Sequence, residues 1–101
     1  MKATGLILLA WLAGVGLAAA ADARNGEILA HRWCASCHIV GPAQNGGNAD
    51  VPTFASIAAR PGFNPQTIAN FLRDPHPKMP NMALSRGETD DLAAYIASLR
   101  K

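Results

Sequence analysis

Several things are scarce in this chain. Aromatic residues make up 6% of it, cysteines number two, and the basic residues form no run. Sustained apolar/polar alternation is missing, and Val, Ile and Thr are few, which argues against a sheet. A scattered basic set with a net charge of +2 offers no clustered patch for nucleic acid. There is no second C-x-x-C and no pair of closely spaced histidines, so a zinc site lacks partner ligands. At 101 residues the chain is too short for a TIM barrel or a full dinucleotide-binding fold.

What is present begins with a leader. Lys2 is the only charge before Asp22, and an apolar stretch rich in Leu and Ala, with Trp11 in it, lies between them. Ala19-Ala20-Ala21 supplies small residues for a cleavage site. Charged start, apolar middle and small-residue exit predict a signal peptide over 1–21 and one domain over 22–101. The rival reading is an uncleaved anchor, which the glycines and alanines of the stretch weaken. Cleavage leaves 101 − 21 = 80 residues and, with Lys2 gone, a charge of 8 − 7 = +1. So small a domain buries only about 60% of its unfolded surface and needs a staple. Export predicts a periplasmic, oxidising location. Yet a bridge between Cys34 and Cys37 would close a tiny loop and stabilise little. Something else uses these thiols.

Three helices are predicted. The first runs from Asn25 to Ala35, with Asn25 as N-cap, Glu27 in the first turn, and Gly26, Leu29 or Ala30, and Trp33 on one face. Ile39 to Asp50 is a loop carrying Gly41-Pro42 and Asn45-Gly46-Gly47-Asn48. Val51-Pro52-Thr53-Phe54 is extended, and Ser56 to Arg60 forms a helical turn. The second helix starts at Asn64-Pro65, shows an Ile68, Phe71, Leu72 stripe and ends at Asp74-Pro75. Pro75-His76-Pro77-Lys78-Met79-Pro80 is stiff, with three prolines. The third helix opens on a Ser85/Glu88 capping box, and Leu92, Tyr95, Ile96 and Leu99 form its apolar stripe. Arg100 and Lys101 follow at the end where the helix dipole favours cations.

Cys34-Ala35-Ser36-Cys37-His38 is C-x-x-C-H, the attachment sequence for c-type haem. Cysteines at i and i+3 share one helical face, so both sulfurs reach the vinyl groups of one porphyrin. His38 then lies under the ring, where a proximal histidine binds iron. Trp33-Cys34-Ala35-Ser36-Cys37 also matches the W-C-x-x-C redox motif. That motif follows a buried strand, whereas here a helical segment precedes it. The other face of the iron has Met79 and Met82 as soft candidates and His76 as a hard one. Met79 sits between Pro77 and Pro80, so its backbone is held stiffly, which favours it.

The mature chain resembles the monohaem class I cytochromes c of bacteria. Gly26, eight residues before Cys34, matches the glycine where the N- and C-terminal helices cross in that family. Pro52 matches the proline whose carbonyl accepts a bond from the proximal histidine. Met79-Pro80-Asn81-Met82-Ala83-Leu84-Ser85 is similar to the family's ligand loop, and Asp91-Leu92-Ala93-Ala94-Tyr95-Ile96 to the start of its C-terminal helix core. The segment from Pro75 to Met79 is short beside mitochondrial members. The resemblance implies an all-α cytochrome c fold, with three main helices and loops around one covalently bound haem c. It implies thioethers at Cys34 and Cys37 and axial ligands His38 and Met79.

Phe54 and Phe71 are expected to wall the haem pocket, and Arg60 to hold a propionate. Trp33 and Tyr95 are expected in the core at the helix crossing, and His31 on the solvent side. With both axial positions filled, the expected activity is one-electron transfer, not catalysis. The expected partners are redox proteins: a membrane complex or dehydrogenase as donor, an oxidase or reductase as acceptor. After cleavage no membrane span remains, and a monomer is expected. Two other readings are a haem enzyme or gas sensor with a labile sixth ligand, and a haem subunit of a larger complex.

Overall fold

The computed structural model describes residues 20–74 and 78–101. Most of the expected leader therefore lies outside the described residues, as do Pro75, His76 and Pro77. Among these residues four helices follow in chain order: α1 (Ala23–Trp33), α2 (Phe54–Ala58), α3 (Pro65–Arg73) and α4 (Arg86–Ser98). No strand occurs among the described residues. The fold is all-α, with three longer helices and α2 as a short fourth one. Among the described residues α4 is the common partner: α1, α3 and α2 each pack on it and not substantially on one another.

The α1–α4 crossing depends on Gly26. A Cβ there would lie 2.0 Å from the Asp91 carbonyl oxygen and 2.8 Å from Tyr95 Cβ. Only a residue without a side chain lets the two backbones approach so closely. Asp91 then ties the helices together. Its Oδ1 accepts from Asp22 N at 2.7 Å and its Oδ2 from Asn25 Nδ2 at 2.8 Å.

Helix α1 starts earlier than expected. Asp22, not Asn25, is its N-cap, accepting from Arg24 N and Asn25 N. Asn25 is spent on Asp91 instead, and Glu27 falls past the first turn. Trp33 also departs from expectation. It is 45% exposed at the end of α1, whereas Leu29 and Ala30 take the buried face with Gly26. His31 is exposed.

The ends of α3 and α4 are as the sequence suggests, with Asn64 and Pro65 opening one and the Ser85/Glu88 capping box opening the other. Arg73, the last residue of α3, fastens it to α4. Its Nε donates to Thr89 Oγ1 at 2.9 Å, and its NH2 group reaches the Asp90 carboxylate and the Arg86 carbonyl. Arg100 does not serve its own helix. Its guanidinium donates to the Ala58 and Arg60 carbonyls at 2.6 and 3.0 Å, which satisfies the carboxyl end of α2.

Candidate haem site

Cys34 is the C-cap of α1, and the C-x-x-C-H segment turns away from the helix end. Its backbone is irregular, so every polar group needs its own partner. The Cys34 carbonyl accepts from the Cys37 and His38 amides at 3.1 and 2.8 Å. The Cys37 carbonyl accepts from Asn48 N, and the Ile39 carbonyl from Phe54 N. The Val40 carbonyl accepts from the Tyr95 hydroxyl at 2.5 Å. Burial, and then the Glu27 carboxylate, raise the Tyr95 phenol above its ordinary pKa and keep that proton in place.

His38 is buried, 8% exposed. Its Nδ1 lies 2.6 Å from the Pro52 carbonyl oxygen. A carbonyl only accepts, so Nδ1 carries the proton and Nε2 keeps its lone pair. Nε2 makes no hydrogen bond among the described residues. The Phe54 ring packs beside the imidazole, with centroids 5.3 Å apart.

A largely apolar cavity of about 430 Å³ lies against this segment. Cys34, His38, Pro52, Phe54, Phe71 and Met79 are among its walls, with Ile68 and Leu92. Arg60 and Lys78 also line it. Met82 does not, although it is half-buried. His76 lies outside the described residues. Cys37 is exposed and is not a wall residue. Cys34 is buried, and burial pushes its thiol up to about 11. It is therefore protonated at neutral pH, the reverse of the exposed, low-pKa thiolate that a dithiol oxidoreductase needs. An apolar cavity, a buried thiol, a thioether and an imidazole with a spare lone pair fit haem c and no hydrated metal ion.

Known proteins agree with that chemistry. Residues 21–96 match the family described as cytochrome c oxidase, cbb3-type, subunit III. A curated relative, cytochrome c-552 of Bradyrhizobium diazoefficiens, is 55% identical over 94 residues, spanning 93% of this chain and 90% of its own. The chain belongs to the small c-type cytochromes of this family. It carries covalently bound haem c and works as a monohaem electron carrier with redox partners, not as an enzyme. No solved structure matches it.

Sequence reading missed one residue of the attachment loop and one tie between helices. Gln44 sits in a Gly- and Asn-rich loop, where nothing in the pattern distinguishes it from other turn residues. The Arg73–Thr89–Asp90 cluster joins positions far apart in sequence, and no local signal pairs them.

Proposed function

We propose that this cytochrome is exported, loses residues 1–21, and carries single electrons in the periplasm as a monomer with His38 and Met79 as its axial ligands. Cys34 and Cys37 supply the thioethers. When bound, the haem supplies the ferric/ferrous couple. The observation that carries the reading is that His38 and Met79 line the same apolar cavity while Met82 does not. His38 holds its Nδ1 proton on Pro52 and presents Nε2. The Met79 thioether is a soft donor that favours the ferrous state, and the apolar walls exclude water, which raises the potential further.

The leader boundary has its own support. Asp22 is the cap of α1, so removal of everything before it leaves the helix intact. The ammonium group so formed would face the Asp91 carboxylate, already 2.7 Å from that nitrogen. Among the described residues no helix is long and apolar enough to cross a membrane. Phe71 lines the cavity and is 49% exposed, so an apolar surface stands at its mouth. Partner contact there brings donor or acceptor closest to the haem. We assign as donor a membrane complex or a dehydrogenase, and as acceptor an oxidase or reductase. Arg60, also at the wall, is the candidate for a propionate.

The test is a pair of variants. Met79→Ala should open the iron to carbon monoxide and lower the midpoint potential, and Met82→Ala should do neither. The reverse pattern would move the sixth ligand to Met82.

A further inference from the structure

The carboxamide of Gln44 is the most heavily used side chain of the attachment loop. Its Nε2 lies 2.6, 2.8 and 2.9 Å from the Gly46, His38 and Ala35 carbonyl oxygens, which share its two N–H groups. Its Oε1 accepts from the Val40 amide at 3.0 Å. The orientation is unambiguous, since three acceptors face one end and a donor faces the other. Ala35 and His38 lie inside C-x-x-C-H, and their carbonyls have no other partner among the described residues. Other carbonyls of the segment are held by Asn48, Phe54 and Tyr95. Gln44 thus provides for two carbonyls of the stretch that bears the haem-binding side chains, those of Ala35 and His38.

We propose that Gln44 is a positioning residue for His38, acting through the backbone of residues 35–40. The proposal rests on His38 being the proximal ligand. Beyond the bond from its amide to the Cys34 carbonyl, His38 is fixed at two points. Pro52 holds the imidazole, and Gln44 holds the carbonyl of the same residue. Without the second hold, the backbone of His38 turns more freely and the bond from Nδ1 to Pro52 opens more often. The electron density that Pro52 lends to the imidazole then varies with it.

Gln44→Glu is the sharp test, because it keeps the shape and reverses the polarity. A carboxylate oxygen would face three carbonyl oxygens where an NH2 group now donates. Gln44→Met keeps the length and removes both polar ends. Leu99→Ala, at the far end of α4, serves as a control for general loss of stability. The readouts are solvent exchange of the His38 ring N–H proton and the hyperfine-shifted imidazole resonances of the ferric holoprotein. Exchange should speed up about tenfold or more in Gln44→Glu, less in Gln44→Met, and the imidazole resonances should move in both. Leu99→Ala should change neither. If both Gln44 variants fail to bind haem covalently while Leu99→Ala loads normally, the loop has lost its presentation of the site, as the proposal requires. Unchanged exchange and resonances in Gln44→Glu, or equal changes in Leu99→Ala, would overturn it. Assignment of the shifted imidazole in the wild-type protein to a residue other than His38 would overturn the ligand reading, and the proposal with it.

Discussion

Cys34 and His38 lie four positions apart, and both line one cavity although α1 ends at Trp33, just before the motif. The turn that achieves this is not regular helix. It is held by bonds from Asn48, Phe54, Tyr95 and Gln44, which arrive from three later parts of the chain. C-x-x-C-H therefore names the chemistry, and the surrounding residues set the geometry. Cys34 lines the cavity from a buried position, and Cys37 is exposed three residues on, outside its walls. Each can form one thioether, and together they make attachment permanent. Cys34→Ala with Cys37→Ala should leave no haem resistant to acid-acetone extraction. Resistant haem in that double variant would contradict the thioether assignment.

Among the elements, α4 carries the fold. The crossing with α1 is set by Gly26, against which a Cβ would approach the Asp91 carbonyl oxygen to 2.0 Å. Gly26→Ala should destabilise the protein by about 3 kcal/mol, the upper range for overpacking, because a backbone atom cannot step aside as a flexible side chain can. Chemical denaturation of the holoprotein checks this. A loss under about 1 kcal/mol would mean that the helices separate more easily than their packing suggests. The α3–α4 contact rests on Arg73, whose guanidinium serves Thr89, Arg86 and Asp90 together. Arg73→Met keeps the stem and removes the fork, and should cost about 1–3 kcal/mol by the same measurement. Thr89 is fully buried, so its hydroxyl loses a partner that water cannot readily replace.

These elements also show where sequence was enough. Capping residues are local signals, and Asn64-Pro65 and Ser85/Glu88 open α3 and α4 as their pattern says. The start of α1 was misread because Asp22 and Asn25 are both acceptable caps. The choice was made by Asp91, 66 residues away from Asn25. Trp33 was misread because an apolar residue on a helical stripe is ordinarily buried. Here α1 ends at Trp33 itself, and the core has closed on Leu29 and Ala30. Cys34, His38, Phe54 and Met79, singled out in the sequence, line one cavity; Gln44 and Arg73, whose partners are set by the tertiary fold, carry no local signal.

At the scale of the whole molecule, α2, α3, α4 and the loops between elements line a cavity of about 430 Å³ that a chain of this length could not afford as empty space. Haem c fills that role in the family to which the chain belongs, and its covalent attachment supplies the staple a small domain needs. An iron held on both faces carries electrons, whereas one with a free or weakly held face also binds gases or peroxide. The carrier function therefore turns on the sixth position, for which Met79 is the cavity-lining candidate. The most direct test is the absorption spectrum of the ferrous wild-type protein before and after carbon monoxide is added. An unchanged low-spin spectrum is the predicted result. A clear shift would show a labile sixth position and contradict the closed, two-ligand carrier.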